Sequence, residues 1–429
     1  MKISVPSESD MDPARSRLLL LASALAFFVV ILGSNAPTPL LPSYRVALSM
    51  SSIEVAFAFS AYFVGLVTVL AILAKTRLTR FAQTLLPVTL LLGISADFMF
   101  LAVNDDPVLL YAGRVITGAS VALATGPAAA LMLVGGGERA RVMMASVSIL
   151  GGCAGLILSV CVVAWLPRPQ QTIYLVHITL CVVAGLALLT AVVRRRAPLR
   201  SALRVSRSEA VTPVRRRSLR TVVAYASGST GWIAGALAVG TLPVALVEVV
   251  DVGSLSMAAM SGVVCLVAAA VVQMALNSNG FVVPVWSSQV VLATGAAATV
   301  AGIAEGTLWI VLVGCSLCGA GQAPSFASGL RVLSHGLGAV EQGRAASAYS
   351  CVCYSTAGVF ALAAGAVTSV MGIADGTLVM VAAYGLFCGT VAALAAADST
   401  IETRVLAARR GCPGSVNPLN QLGTPVSRL

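Results

Sequence analysis

Charge is scarce in this chain. Only 10% of its 429 residues are Asp, Glu, Lys or Arg, whereas about 25% is usual for a globular domain. With 58% of residues hydrophobic and a mean hydropathy of +0.95, there is too little polar surface to clothe a water-soluble fold. Histidine is nearly missing as well, His177 and His335 being the two examples, and no carboxylate cluster stands in for it. Hydrolytic and metal-centred chemistry both need such clusters, so neither enzyme activity nor a metal site is expected. The pattern GxxxxGK[ST] is absent, which excludes direct use of a nucleoside triphosphate through a phosphate loop, and no cofactor is expected. Lysine occurs only at positions 2 and 75, so the net charge of +11 rests on arginine. Those arginines lack the interleaved aromatics or reading motif of a nucleic-acid surface, and no nucleic-acid partner is expected.

Cysteine is not scarce, with ten residues, but nine of them lie inside apolar runs where a thiol packs as a small hydrophobe. Cys315-x-x-Cys318 has the spacing of a redox or zinc pair. It has no second pair and no nearby histidine, so packing is the expected role.

What the chain does hold is a succession of apolar runs. A helix needs about 20 residues to cross a hydrocarbon core roughly 30 Å thick. Runs of that order lie near 18–41, 53–74, 82–103, 107–133, 142–165, 173–193, 221–246, 253–276, 281–303, 306–331, 345–370 and 376–397. They predict an all-α membrane protein with twelve transmembrane helices. Between the sixth and seventh lies 194–220, with ten arginines and one glutamate. Such a stretch stays on the cytoplasmic side during insertion and fixes the orientation of every span around it. Lys75, Arg77, Arg80, Arg139, Arg141, Arg331 and Arg344 mark the other cytoplasmic connections, while Asp105, Asp106, Glu248, Asp251, Glu305 and Asp375 mark outer ones. Both termini then face the cytoplasm. The expected organisation is a cytoplasmic segment 1–16, a six-helix bundle 17–193, the linker 194–220, a second six-helix bundle 221–397 and a disordered cytoplasmic tail 398–429. The preference for arginine over lysine suits a GC-rich bacterial genome and hence a bacterial inner membrane.

A weak internal repeat supports the division into halves. The first span begins at Leu18 and the seventh at Thr221, 203 residues later, and the same offset aligns Arg141…Gly155 with Arg344…Gly358. Two parallel six-helix repeats joined by a basic loop form the plan of the major facilitator superfamily (MFS), whose halves are related by an axis along the membrane normal. Residues 35–66, NAPTPLLPSYRVALSMSSIEVAFAFSAYFVGL, resemble the helix 1 to helix 2 region of bacterial drug-exporter members. Arg114-Val-Ile-Thr-Gly118 resembles the family's Arg-x-x-x-Gly motif, in which the arginine is associated with proton coupling. Gly151-Gly-Cys-Ala-Gly155 resembles the start of the antiporter motif Gly-x-x-x-Gly-Pro, with Leu156 where the family has proline. The loop after the second span, AKTRLTRFAQT, lacks the family's aspartate, which would fall at Leu78 or Thr79. That acid helps hold one conformation in the family by charge contacts at the cytoplasmic face, a latch that this loop does not supply.

The resemblance implies alternating access between two halves, with the first, fourth, seventh and tenth helices around a central cavity. It offers Asn35, Arg114, Tyr225, Trp232 and Gln322 as substrate-binding residues, with Tyr349 and Tyr354 added from the eleventh helix, and Gly118, Gly151 and Gly155 as conformational motif residues. Ionisable groups inside a membrane cost about 2.5–3.5 kcal/mol or more, which makes each one a functional candidate. Asp97 lies eight residues before Asp105 and Arg114 eight after Asp106, so a hairpin brings both to one depth. They form a candidate proton-coupling pair or a static structural one. His177 reads as a hydrogen-bonded histidine near the outer interface. The spans hold few amides, Asn35, Gln273, Gln289 and Gln322 among them, whereas a sugar site needs several such groups to replace water. A hydrophobic or amphipathic small molecule, an antibiotic or secondary metabolite, fits better, exported by a monomer in exchange for protons. Two alternatives stay open: symport or facilitated uptake of a small organic acid, with Arg114 on the carboxylate, and a non-transporting membrane sensor or scaffold.

Overall fold

The computed structural model describes residues 13–411 except 51, 77, 105, 194–218, 280–282, 335, 336 and 338. Residues 1–12 of the expected segment 1–16, most of the arginine-rich linker, Arg77, Asp105, His335 and the tail beyond 411 lie outside the described residues, while 13–16 of that segment already belong to the first helix. Twelve described helices are long and apolar enough to cross a membrane, with spans of 19 to 31 residues. At 1.5 Å per residue even the shortest reaches about 28 Å. They are α1 Pro13–Asn35, α2 Ser52–Lys75, α3 Ala82–Leu101, α4 Val108–Gly136, α5 Glu138–Trp165, α6 Pro169–Val193, α7 Leu219–Glu248, α8 Met260–Asn279, α9 Val285–Ala304, α10 Leu308–Ser334, α11 Ala339–Met371 and α12 Ile373–Gly411. No described residue is in a strand.

The chain reverses sharply at Gly137, Gly306 and Gly372, where φ is +57°, +64° and +86°. Side chains disfavour that backbone region, and glycine enters it at no steric cost. At the start of α4 the Val108 amide donates to Asp106 Oδ1 at 2.8 Å, which satisfies one of the helix's orphan N–H groups.

The packing repeats with a shift of six helices. Helix α1 packs on α4, α5 and α6, α4 packs on α2 and α3, and α3 packs on α6. In the second half α7 packs on α10, α11 and α12, α10 on α8 and α9, and α9 on α12. Each half has its own apolar core, one built around Phe27, Leu66 and Leu131, the other around Ile233, Leu292 and Val381. The halves meet along α2 with α11 and along α5 with α8, two contacts that the same rotation interchanges. Helix α11 also leans on α4, and here the symmetry is broken. Outward-facing large apolar residues such as Leu91, Leu186 and Leu386 cover the periphery, as lipid requires.

Two elements differ from the sequence expectation. Residues 221–246 were expected to form one regular helix, but Leu237–Thr241 is a π-helical turn, in which the Leu242 amide donates to the Leu237 carbonyl. Pro243 follows. Its ring cannot donate to Val239 and crowds that carbonyl, so the ladder widens just before it. The second difference is at the end of the chain, where residues expected to be disordered from 398 continue α12 as helix to Gly411.

Candidate functional site

The two halves enclose a central cavity of about 110 Å³. Its walls come from eight helices, the four expected ones and four more: α1 presents Ile31, Ser34 and Asn35, α4 presents Arg114, α7 presents Trp232 and Gly235, and α10 presents Gln322 and Phe326. Helix α2 contributes Phe59, Tyr62 and Phe63, α5 Ser148 and Gly152, α8 Leu266, and α11 Tyr354. Each half lines it with a cluster of aromatic rings. Trp232 lies 4.1 Å from Tyr354 and 5.7 Å from Phe326, centroid to centroid, while Phe63 lies 5.3 Å from Tyr62 and 5.7 Å from Phe59.

Arg114, 2% exposed, is the one buried cation among the described residues at this wall. Its Nε donates to the Ala58 carbonyl of α2 at 3.2 Å, and its Nη1 to the Ser34 carbonyl of α1, also at 3.2 Å. Ser34 lies in the last turn of α1, whose carbonyls lack intrahelical donors, so the guanidinium caps the negative end of that helix. The Tyr62 ring lies 5.2 Å and the Phe59 ring 6.0 Å from the guanidinium carbon, within cation–π range. No carboxylate among the described residues forms an ion pair with Arg114.

The expected pairing of Asp97 with Arg114 therefore does not form. Asp97, on α3, instead meets His177 of α6, with Oδ2 2.6 Å from Nδ1. The other ring nitrogen, Nε2, lies 3.1 Å from the Val29 carbonyl of α1 and 3.5 Å from Cys181 Sγ. Depth alone placed Asp97 beside Arg114, but the face of α3 that carries Asp97 packs on α6 while α1 stands between it and the cavity. His177 is hydrogen-bonded as expected, and it is 3% exposed within the bundle. Gly33 of α1 makes the room, because a methyl group there would strike the imidazole ring. A carbonyl can only accept, so the contact with Val29 fixes a hydrogen on Nε2. The remaining proton is shared between Nδ1 and Oδ2, and the pair is neutral with it and carries one negative charge without it.

Of the other expected residues, Asn35 lines the cavity and also ties α1 to α5 by donating to the Gly152 carbonyl at 2.9 Å. Trp232, Gln322 and Tyr354 line it. Tyr225 does not: it packs on Tyr349, 5.8 Å between ring centroids, and Tyr349 is held in the second half by donating to the Phe326 carbonyl at 3.0 Å. Gly118 lies against the Tyr62 carbonyl and Gly155 against that of Leu32, so both motif glycines set helix separations within the first half, and Gly151 lies beside Phe28 and Ile31. Gly319 lies against the Cys265 carbonyl, the same α4–α2 contact repeated between α10 and α8. Leu156, at the family's proline position, is buried between the halves with Cys153 and Leu266. Cys315 and Cys318 are buried free thiols in the second core.

The sequence reading overlooked Phe59, Tyr62 and Phe63. Their spacing at i, i+3 and i+4 places them on one helix face, a signal that was present in AFAFSAYF. His177 had no such signal, since its partner is 80 residues away.

The family model described as Major Facilitator Superfamily matches residues 23–362, which include every residue named at the cavity wall. No curated protein matches the chain.

Proposed function

The chain belongs to the major facilitator superfamily and is a multi-pass membrane transporter of that type, and from this premise we propose that it exports a small amphipathic compound in exchange for protons. The observation that carries the reading is the cavity between the halves, walled by aromatic rings and polar at one corner through Arg114. Such a site holds an apolar body and orients one polar group. Alternating access is supported by two bundles that meet along α2–α11, α4–α11 and α5–α8, the seams flanking the cavity, with the arginine-rich connections assigned to the cytoplasmic side by their charge.

Proton exchange is assigned to Asp97 with His177. Loss of the shared proton leaves a negative charge behind α1, on the opposite side of that helix from Arg114. Both groups bond to α1 carbonyls, at Val29 and Ser34, so a change at the dyad is felt by the helix that forms the cavity wall. Reprotonation from the outer side resets it.

The test uses inside-out vesicles energised to an acidic lumen. Three probes are added in turn: an arylalkanoic acid, its neutral amide and a lipophilic cation. Dissipation of the pH gradient by at least one probe in the wild type, lost in Asp97→Asn, is the expected result. Gradient-independent equilibration of a labelled probe, unchanged in Asp97→Asn, would overturn proton exchange and leave facilitated passage.

A further inference from the structure

Resting on the transport reading above, we propose that the compound bound in the central cavity is an amphipathic monoanion, its carboxylate or equivalent group held by Arg114 and the indole N–H of Trp232, its apolar body between the rings of the two halves. Three observations carry this. Arg114 is a buried cation whose hydrogen-bonded partners are neutral carbonyl oxygens, and no described carboxylate neutralises it. A buried charge without a counterion is costly, and an anion entering the cavity supplies one. Trp232 lines the same cavity, and its buried Nε1–H has no acceptor among the described residues. A buried donor without an acceptor is likewise unfavourable, and an anionic oxygen satisfies it.

The third observation excludes the opposite charge. No Asp or Glu among the described residues lines the cavity. The nearest buried carboxylate is Asp97, which is turned away from it, behind α1 and committed to His177. A lipophilic cation would meet Arg114 with nothing to offset the repulsion. The neighbouring polar groups are already engaged: Ser34 Oγ donates to the Ile31 carbonyl and Asn35 Nδ2 to that of Gly152. The donors left at the site include Nη2 of Arg114 and the indole, from opposite halves, with the amide of Gln322, whose Oε1 accepts from Cys265 Sγ, beside them. An anion bridging Arg114 of the first half to Trp232 of the second draws the two bundles together.

Binding is measured by equilibrium dialysis on the purified full-length protein in lipid nanodiscs at neutral pH, without any gradient. The probes are 4-phenylbutyrate, 4-phenylbutanamide and 4-phenylbutylammonium, which share one apolar body and differ in charge. The acid is expected to bind at least about tenfold more tightly than the amide, and the ammonium least, as suits a charge-assisted pair in a desolvated site. Arg114→Gln should abolish the preference for the acid, Arg114→Lys should retain part of it, and Trp232→Phe should weaken the acid several-fold with little effect on the amide. Equal or tighter binding of the amide or ammonium to the wild type overturns the proposal, as does absence of saturable binding by the acid. The wild-type comparison needs no variant to fold. Because no gradient is used, the charge preference stands or falls apart from proton exchange, whose failure is read in the vesicle experiment.

Discussion

At the scale of single residues, the first half carries the ionisable groups. Among the described buried residues Asp97, Arg114 and His177 are the ionisable acid and bases, and all lie in α3, α4 and α6. The second half buries neutral polar groups that satisfy one another: Thr230 donates to Gln289 Oε1 at 2.9 Å, Gln289 Nε2 to Ser325 Oγ at 2.9 Å, and Ser325 to Ser288 Oγ at 3.0 Å. The two kinds of site answer differently to substitution. Asp97→Asn preserves shape and offers an amide N–H to the unprotonated Nδ1 of His177, so it should leave thermal unfolding within a few degrees of the wild type while removing the exchangeable proton. His177→Ala leaves the Asp97 carboxyl buried without its partner and should destabilise by about 3–5 kcal/mol where the carboxyl stays ionised. Unfolding monitored by tryptophan fluorescence in detergent distinguishes them. Equal stability of the two variants would show that the pair is not a structural unit.

At the scale of helices, separations are set by small residues placed against backbone. Gly118 admits α2 to α4, and Gly155 admits α1 to α5. Without a hydrophobic drive between helices in lipid, such close packing is what holds them together. Gly118→Leu and Gly155→Val each place atoms where a carbonyl already stands, so each should destabilise by about 1–3 kcal/mol or more and lower the yield of folded protein. Gly389, on α12 with no neighbour within 4 Å of an added methyl group, is the control, and Gly389→Ala should be neutral. A drop of similar size at Gly389 would mean that helix propensity or insertion, and not contact, governs these sites. The π turn of α7 belongs to this scale too. It is caused by Pro243 and places Gly240 against the Phe59 ring of α2, so a local backbone defect becomes a contact between halves.

At the scale of the molecule, the question is what holds the halves in this arrangement without the acid expected near Leu78 or Thr79. Near the basic end the Arg344 Nε of α11 donates to the Ala74 carbonyl in the last turn of α2 at 3.3 Å. An arginine on a helix C-terminus is a favourable charge–dipole contact and substitutes for an acid on the opposing N-terminus. Further along the seam Cys351 Sγ lies 3.8 Å from the Val67 carbonyl and Gly358 faces the Phe63 ring. Alternating access requires this seam to part. Arg344→Gln should therefore raise accessibility of Cys351 to a water-soluble maleimide several-fold without changing thermal stability by more than about 1 kcal/mol. Val67→Cys, paired with the native Cys351, should cross-link under mild oxidation and stop flux until reduced. Continued transport by the fully cross-linked protein would exclude opening along α2–α11.

The sequence by itself determined the class of the molecule, because a helix in lipid must satisfy its own backbone and be apolar along its length, and that constraint is written in every run from α1 to α12. It also carried the division into halves through the repeat and the basic linker, and it picked out Arg114, Asn35, Trp232, Gln322 and Tyr354 as wall residues through the resemblance. Only the tertiary structure decided the partners. Asp97 and Arg114 share a depth, which counting residues reveals, but rotation of each helix about its axis decides whom a side chain meets, and in helices apolar on nearly every face no periodic stripe records that rotation. Hence Asp97 went to His177, Arg114 to the carbonyls of Ser34 and Ala58, and Tyr225 to Tyr349 instead of the cavity.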